Sequence, residues 1–129
     1  MTVWTNGCFD CIHAGHIELL EFAKNQGDRL IVGIDTDDRV KALKSEKRPI
    51  HNVDQRKRVL SSIRFVDDVV TFSSDDELIN KIIESGAGLI VVGSDYVGKR
   101  VIGSELAPVK FFDRIGGLSS TRIINENSL

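Results

Sequence analysis

A turn that carries a glycine and two histidines, between an apolar run and an amphipathic run, most constrains how this chain can fold. The short apolar run Val3-Trp4 precedes the turn, and residues 17–23 follow it with apolar side chains at helical spacing. This order predicts a strand, a turn and a helix. At such a junction, backbone N–H groups and the positive end of the helix dipole face a crevice at the strand's carboxyl end, where phosphate binds readily.

The two histidines of the turn, His13 and His16, lie three residues apart. On one helical turn this spacing puts both rings on the same face, and Gly15 between them adds no side chain that would keep a ligand away. A single histidine at a helix start is more often an ordinary surface residue, but the paired spacing favours a site. Metal ligation is a third interpretation, and against it Cys8 and Cys11 lack further ligands at the spacing of a recognisable zinc set.

Residues 7–16 read GCFDCIHAGH, and this stretch resembles the HxGH signature of the cytidylyltransferase-like nucleotidyltransferases in its form GxFDxxHxGH. The resemblance implies that both histidines are catalytic and that their neighbours contact a nucleotide. The catalytic residues so implied are His13 and His16, and the nucleotide-binding residues are Gly7, Cys8, Phe9, Asp10 and Gly15.

Composition is typical of a single globular domain. The 129 residues can bury a core without disulfides, and we expect one domain over residues 1–129. With 41% hydrophobic and 28% charged residues, and no apolar run long enough to cross a bilayer, we expect neither a membrane protein nor a disordered one. No secretory leader is visible, so we expect a cytoplasmic location. The net charge of −2 gives no general attraction to nucleic acid, so local basic groups must hold any anionic ligand.

Apolar runs bounded by polar residues or glycine recur along the chain and predict buried parallel strands. Helical spacing lies between them at residues 53–63 and 76–83, where Ser74 or Asp75 offers a cap to the second helix. The alternation predicts a doubly wound α/β sheet, whose ligand binds where the strand order reverses. The family fold is of this type, a single-domain Rossmann-like parallel sheet of five strands. Strands after the first are predicted at residues 29–35, 68–72, 88–93 and 108–112.

Residues 39–49 concentrate basic side chains in a chain that is slightly acidic overall. Such a run is as often a solvated surface as a binding site. Lysines near a phosphate crevice act as flexible point charges, and a loop that carries them can close after the substrate arrives, so we expect a mobile basic lid. In the family, lysines of this segment neutralise the nucleotide's phosphates. Lys44, placed among the catalytic residues, and Lys47, placed among the nucleotide-binding ones, match best.

Residues 54–67 resemble two family elements that lie at the dimer contact and beside the acceptor substrate. The resemblance implies a homodimer and makes Arg56 and Arg64 candidates for holding the acceptor's phosphate. Without the resemblance, both are ordinary exposed arginines of an amphipathic helix. That interpretation suits Arg58 better than Arg64, which has apolar neighbours on both sides.

An aspartate and an aromatic ring follow the strand predicted at residues 88–93. Asp95 and Tyr96 match a family element that faces the base and ribose, so the resemblance implies that they bind the nucleotide. Without the family, an aspartate after a strand equally often caps the next turn. A carboxylate that only accepts hydrogen bonds and a planar ring nonetheless suit an exocyclic amine and a base.

Residues 114–124 are the second segment that strongly indicates a binding site. Two glycines free the backbone and three hydroxyls follow, which predicts a helix N-terminus that presents N–H and O–H donors to an anion. The segment resembles the family's RTxGISTT element. Its Arg114 matches an arginine of the cytidylyl enzymes that act on glycerol 3-phosphate and choline phosphate, and together with Arg64 it favours CTP; we place Arg114 among the catalytic residues. The nucleotide-binding residues implied here are Gly117, Ser119, Ser120 and Thr121.

The resemblance covers essentially the whole chain and implies transfer of CMP from CTP to a small phosphorylated alcohol, with glycerol 3-phosphate the first expectation. Three departures bear on this. Cys8 replaces the usual Thr or Val, Tyr96 replaces the Trp of the glycerol-3-phosphate enzymes, and residues 76–78 lack a lysine that those enzymes carry. The alternative is adenylyl transfer from ATP to a heptose phosphate, another sugar phosphate or FMN. Residues 43–44, 48–49, 55–56 and 101–103 resemble the heptose-phosphate adenylyltransferases.

The implied reaction is direct: a phosphate oxygen of the acceptor attacks the α-phosphorus in line, and pyrophosphate departs without a covalent intermediate. Mg²⁺, bound mainly through the nucleotide's phosphates, is the expected cofactor, and we expect no metal held by protein ligands alone. Two alternatives from other classes stay open. One is a non-catalytic nucleotide sensor on the same fold, and the other is a redox protein that uses Cys8 and Cys11.

Overall fold

The structure is a computed structural model, and it describes residues 1–94 and 97–113. Within these residues the strands form one parallel sheet, and the predicted Rossmann-like α/β fold is confirmed. The first strand runs further than its apolar pair suggested, and the others agree with prediction within a residue or so. The strands are β1 (Thr2–Gly7), β2 (Arg29–Asp35), β3 (Asp68–Phe72), β4 (Leu89–Gly93) and β5 (Val109–Phe112), in the order β3-β2-β1-β4-β5.

Helices connect the strands, and they are α1 (Ala14–Asn25), α2 (Asp37–Leu43), α3 (Val53–Ser61) and α4 (Asp75–Ser85). The helix α2 includes the first half of the basic segment 39–49, for which no helix is predicted, and closure of that segment as a lid stays a prediction. Asp37 and Asp38 lie in its first turn, where negative charge offsets the helix dipole. Among the described residues, no helix combines the length and the apolar character that spanning a bilayer requires.

Helices cover both faces of the sheet. On one face Leu20 of α1 and Leu60 of α3 belong to the same buried cluster as Val32 of β2. On the other face Leu78 of α4 clusters with Ile90 of β4. Successive strand residues alternate between the two clusters, as the two-residue period of a strand requires. Both faces are therefore buried, which explains why the strands read as continuous apolar runs.

Trp4 is the largest side chain of the core and orients a polar residue at the carboxyl end of β1. Its ring is 0% exposed, and its Nε1 donates a hydrogen bond to Oδ1 of Asn6 at 2.9 Å. The neighbouring strand makes room for the ring through Gly33, where a Cβ would lie 2.5 Å from Cζ2 of Trp4. The packing of Trp4 in the core thus fixes the position of Asn6 at the carboxyl end of β1.

The strand order reverses between β1 and β4. From β1 the chain passes to β2 and then β3 on one side, and it returns through α4 to place β4 on the other side. The chain therefore continues from β1 and from β4 to opposite sides of the sheet, and a crevice lies at the carboxyl ends of these two strands. In sheets of this kind ligands bind at that point.

Asp67 lies at the other end of the strands, away from the crevice, just before the amino end of β3. Its carboxylate accepts hydrogen bonds from Nζ of Lys24 at 2.5 Å and from the N–H of Leu30 at 2.7 Å. Burial alone would raise the pKa of Asp67, but these hydrogen bonds outweigh it and hold the pKa below its usual value. The carboxylate thus joins α1, β2 and β3 in its charged form.

Replacing Asp67 by asparagine tests this charge. Because the pKa is lower in the folded chain, the stabilisation is present above the ordinary aspartate pKa of about 4 and is lost as the pH falls through the folded value. Asp67→Asn should lower the free energy of unfolding near neutral pH by about 1 kcal/mol, allowing for the partial exposure of the pair. Urea unfolding at several pH values should show that the difference shrinks in acid. A difference independent of pH would mean that packing, and not charge, is responsible.

Candidate active site

A crevice of about 580 Å³ lies between the carboxyl ends of β1 and β4, where the strand order reverses. It brings together several residues that the sequence predicted, and others that it did not. The sequence contains an indication of the residues that were not predicted, since most of them lie at the ends of β1 or β4 or in the basic segment. The predicted residues are Gly7, Cys8, Phe9, Asp10, His16 and Lys44, and the additional ones are Thr5, Asn6, Leu19, Ser45, Arg48, Val92 and Gly93.

The start of α1 fixes both histidine rings. His13 is the N-cap, and its Nδ1 accepts the N–H of Gly15 at 3.0 Å. Nδ1 of His16 accepts the N–H of His13 at 3.1 Å, so the two residues form a reciprocal capping box. An Nδ1 that accepts a hydrogen bond carries no proton, and in the neutral ring the proton is therefore on Nε2.

The two imidazoles lie side by side, with ring centroids 4.0 Å apart. His16 lines the crevice, and His13 is directly beside it. Gly15 does not line the crevice, and its N–H is bonded to His13. The arrangement gives both rings a defined tautomer whose Nε2–H is a hydrogen-bond donor. This is what stabilisation of a developing phosphoryl charge needs.

Two residues of the turn before α1 adopt the left-handed backbone conformation, which residues other than glycine rarely do. These are Phe9, with φ 51°, and Cys11, with φ 55°. The conformation turns the Phe9 ring into the core, where it is 6% exposed and its centroid is 5.5 Å from that of His16. A Cβ on Gly7 would lie 3.2 Å from this ring. Strained backbone of this kind is found where a site must be held in one shape.

Asp10 builds one wall of the crevice. Its side chain is 3% exposed and accepts hydrogen bonds from the N–H of Ile50 at 2.6 Å, the N–H of His51 at 3.0 Å and Nη1 of Arg48 at 3.3 Å. Burial would raise the pKa of Asp10, but these hydrogen bonds outweigh it and lower the pKa. The charged carboxylate therefore anchors the loop before α3 to the turn before α1. Its predicted contact with the nucleotide stays a prediction.

The basic segment contributes two cations to the crevice. Lys44 is the C-cap of α2, and both it and Arg48 line the cavity. Lys47 is exposed and does not line it. The sequence missed Arg48, although it belongs to the same basic run, because nothing in the spacing indicated that Asp10 would orient it.

Arg56 differs from its predicted role. It is 1% exposed, and its guanidinium donates to the carbonyl of His51 at 3.0 Å, to the carbonyl of Cys8 at 2.9 Å and to Oδ1 of Asp37 at 2.8 Å. The side chain joins α3, the turn before α1 and the start of α2, and it is closed to solvent. We therefore replace the predicted phosphate contact by a positioning role.

Arg64 also lies away from the crevice. It is exposed, and its guanidinium carbon lies 4.8 Å from the centroid of the Phe65 ring. The residue follows α3 and precedes β3, so it belongs to the amino-terminal edge of the sheet, whereas the crevice is at the carboxyl-terminal edge. Within one chain Arg64 therefore lies away from the crevice, and its predicted contact with the acceptor stays a prediction.

A second cavity of about 280 Å³ adjoins the crevice. Its lining includes Asp35 and Arg39, whose Nε donates to Oδ1 of Asp35 at 2.7 Å. Nη2 of Arg39 donates to Asp75 at 2.7 Å, and the guanidinium carbon lies 5.3 Å from the centroid of the Phe72 ring. These contacts hold Arg39 rigidly. The residues shared by the two cavities are Asn6, Gly7, Cys8, Lys44 and Val92.

Several predicted site residues lie outside the described residues, and their roles stay predictions. All of them follow β4 or β5 in the sequence. They are Asp95, Tyr96, Arg114, Gly117, Ser119, Ser120 and Thr121.

The Cys8 thiol does not have the character of a reactive redox thiol. Burial raises the pKa of the Cys8 thiol, and this effect outweighs the hydrogen bond and the positive charges that act against it. A reactive thiol needs the opposite, a lowered pKa. Both cysteines are free thiols, with Cys8 partly buried and Cys11 exposed.

Comparison with curated proteins identifies relatives that are far longer than this chain. The Bifunctional protein HldE of Campylobacter fetus is 46% identical over 125 residues, which make up 96% of this chain and 27% of that protein. The protein of the same name in Campylobacter concisus is 47% identical over 123 residues, 95% of this chain and 26% of that protein. The chain thus spans about a quarter of the length of these relatives.

Solved structures share the fold. The lipopolysaccharide core biosynthesis protein of Thermoplasma volcanium aligns with a TM-score of 0.71 and 25% identity, over 88% of this chain and 94% of that one. Pantothenate synthetase of Thermus thermophilus aligns with a TM-score of 0.62 over 94% of this chain and 60% of that one, and at 13% identity it shows the fold alone. Residues 4–126 match the cytidylyltransferase-like family model. With its histidine pair at the start of α1 beside the crevice, the chain belongs to the cytidylyltransferase-like family of nucleotidyltransferases.

Proposed function

We propose that the chain transfers an adenylyl group from ATP to the phosphate of a sugar phosphate and releases pyrophosphate. The relatives named HldE, 46–47% identical, support this choice over the expected CTP and glycerol 3-phosphate. So do the short segments that resemble the heptose-phosphate adenylyltransferases, residues 43–44, 48–49, 55–56 and 101–103. The case for CTP depended on Arg114, which lies outside the described residues, and on Arg64, which lies at the other edge of the sheet.

The observation that carries the proposal is the pair of adjoining cavities. A transferase must hold a nucleotide and an acceptor so that an acceptor oxygen can approach the α-phosphorus. The crevice beside His16 has the volume and the cations for a triphosphate, and the second cavity meets it at Asn6, Gly7 and Lys44. Their junction is where we place the reacting phosphates.

In this arrangement an oxygen of the acceptor phosphate forms a bond to the α-phosphorus, and the bond from the α-phosphorus to the bridging oxygen of pyrophosphate breaks. The attacking oxygen is already anionic, so no general base is required. The Nε2–H groups of His13 and His16 donate to phosphate oxygens as charge builds on them, and Lys44 offsets that charge from the junction of the cavities. The buried hydroxyl of Thr5 has no hydrogen-bond partner among the described residues, and it supplies a further polar group at the crevice.

Mg²⁺ is the cofactor that a triphosphate implies, and the donor set of the crevice fits an ion held through phosphate oxygens. Among the described lining residues Asp10 is the one carboxylate, so the protein itself offers few oxygen ligands to Mg²⁺ at the crevice. Mg²⁺ keeps much of its water and needs few protein ligands in such sites. When bound, it would neutralise phosphate charge, while the orientation of the reactants comes from the protein groups described above.

The proposal is tested by measuring pyrophosphate release with each of the four common ribonucleoside triphosphates. Each is paired with a heptose phosphate, a hexose phosphate, glycerol 3-phosphate or FMN. We expect ATP with a sugar phosphate to be preferred at least a hundredfold in kcat/KM. A preference for CTP with glycerol 3-phosphate would restore the first expectation and contradict the proposal. Nucleotide binding without pyrophosphate release from any pair would instead support a non-catalytic sensor.

Replacing Asp35 by asparagine tests the assignment of the second cavity to the acceptor. Asp35 is the acidic residue of that cavity, and a carboxylate there suits the hydroxyl groups of a sugar. Asp35→Asn preserves the size of the side chain and should raise the KM for the acceptor about tenfold, which corresponds to about 1.4 kcal/mol. The KM for the nucleotide should change less than about twofold.

Asp38 provides the matched control, because it lies on α2, is exposed and lines neither cavity. Asp38→Asn should leave both KM values unchanged. Equal increases in the two KM values of Asp35→Asn would show that the substitution disturbs the whole site, and the assignment of the acceptor to the second cavity would then be wrong.

We also propose that the chain forms a homodimer, as the family resemblance implies. Exposed apolar side chains support this, since Val59 within the predicted contact is 49% exposed and Ile50, just before that segment, is 60% exposed. Sedimentation velocity at micromolar concentration should give a single species of twice the chain mass. A monomer under these conditions contradicts the proposal.

A further inference from the structure

Three potential metal ligands of different chemistry meet beside the crevice, at Asp10, Cys11 and His51. One carboxylate oxygen, the Sγ atom and one imidazole nitrogen all lie within 4.8 Å of one another. Asp10 and Cys11 belong to the turn before α1, whereas His51 belongs to the loop before α3. The sequence argued against a metal site because Cys11 had no partner at suitable spacing, and the fold supplies one from 40 residues further along the chain.

The local geometry favours a shared ion at this point. Cys11 has its unusual φ of 55°, and its Sγ lies 4.0 Å from Oδ1 of Asp10. In a tetrahedral zinc site, bonds of about 2.0–2.3 Å place ligand atoms about 3.3–3.8 Å apart. The three atoms are therefore within roughly 1 Å of that spacing. Because Cys11 and His51 are exposed, rotations of their side chains can close the gap.

Asp10 retains the capacity to bind an ion through one oxygen. Its Oδ2 accepts from Ile50 and Arg48, whereas Oδ1 accepts the N–H of His51. A carboxylate oxygen has two lone pairs, so Oδ1 can accept one hydrogen bond and ligate a cation as well. Hydrogen bonds of this kind hold ligating carboxylates in place in known metal sites.

The donor set identifies the class of ion. A thiolate and an imidazole together select zinc and similar borderline-soft cations, and they disfavour Mg²⁺, which takes oxygen ligands. The negative carboxylate and thiolate balance the two charges of the ion. Arg48 competes for Asp10, but its side chain is 46% exposed and can move into solvent.

We propose that Asp10, Cys11 and His51 form a site for one Zn²⁺ ion, with water as the fourth ligand. The ion joins the turn that carries the catalytic histidines to the loop that follows the basic segment. Occupancy therefore fixes the two loops to each other at the edge of the crevice. This inference does not depend on which nucleotide or acceptor the enzyme uses.

Cobalt titration of the full chain tests the site without any assay of activity. Protein treated with a chelator and kept reduced should bind one Co²⁺ per chain and develop the near-ultraviolet absorption of a cobalt–thiolate bond. Cys11→Ser should abolish this band, and His51→Gln should weaken binding at least tenfold. Cys8→Ser is the matched thiol control, and His13→Asn controls for binding at the other histidine pair. Both should keep the band.

A second measurement does not use the thiolate signal. Zn²⁺ should raise the melting temperature of the wild type and slow tryptic cleavage after the exposed Lys44 and Lys47, with neither effect in Cys11→Ser. Cys11→Ser and His51→Gln exchange exposed side chains, so their metal-free melting temperatures should match that of the wild type. A band that persists in Cys11→Ser, or that requires Cys8 or His13, would overturn the proposal. So would failure of the wild type to bind Co²⁺ at tens of micromolar.

Discussion

Replacing His16 by alanine is expected to lower turnover at least a hundredfold, a loss of about 2.7 kcal/mol of transition-state stabilisation. His16 lines the crevice, and Nδ1 accepts the N–H of His13, which leaves the ring proton on Nε2. Alanine removes that donor. It also removes the acceptor of the capping box, so a smaller loss of stability, about 1 kcal/mol, accompanies the loss of turnover.

His16→Gln separates these two effects. Glutamine at the third position of a helix can bond back to the N-cap N–H, so this variant should regain the stability that alanine loses. It cannot place the Nε2–H of an imidazole in the crevice, and its turnover should stay low. Steady-state kinetics and thermal unfolding of both variants make the comparison. A His16→Gln variant with near-normal turnover would show that His16 serves only as a helix cap.

The same reasoning applies to His13. Asparagine is among the best N-cap residues, so His13→Asn should preserve the start of α1 while removing the second imidazole. Low turnover in a stable His13→Asn variant would place both rings in the mechanism.

Replacing Arg56 by alanine is expected to destabilise the chain by about 3 kcal/mol or more. The guanidinium is buried and serves the carbonyls of Cys8 and His51 and the carboxylate of Asp37. Its removal leaves all three groups without this donor and opens a void beneath the turn before α1. Because the total stability of a domain is only about 5–15 kcal/mol, urea unfolding should show a large shift of the midpoint.

Arg58 is the matched control for this prediction. It lies on the same helix and is exposed, so Arg58→Ala should change the free energy of unfolding by no more than about 0.5 kcal/mol. Arg56→Lys should rescue little, because one ammonium group cannot reproduce the planar set of donors that reaches three acceptors. A loss below about 1 kcal/mol for Arg56→Ala would contradict the positioning role assigned here.

Most of the architecture could be predicted because its signals are local. Buried parallel strands such as β2 and β4 are continuous apolar runs, and the reversal of strand order follows from their alternation with helices. The helix α2 was missed because its basic residues were interpreted as part of a lid. The acidic pair Asp37 and Asp38 favours its start.

The site was predictable where neighbours in sequence are also neighbours in space, as for His13 and His16. It was not predictable where the fold joins distant segments. No pattern in the sequence shows that Asp10 bonds to the N–H of Ile50, or that His51 lies beside Cys11. The error at Arg56 has the same origin, since an arginine on an amphipathic helix is usually exposed, and only the tertiary contacts reveal its burial.

The hydrogen bond from Arg56 to the carbonyl of Cys8 also has a consequence for biosynthesis. Its donor is made 48 positions after its acceptor. While the chain emerges from the ribosome, the histidine-bearing turn is thus complete in sequence but lacks its brace until α3 has left the exit tunnel. Nucleotide binding by the nascent polypeptide should therefore begin late, after the middle of the chain has been translated.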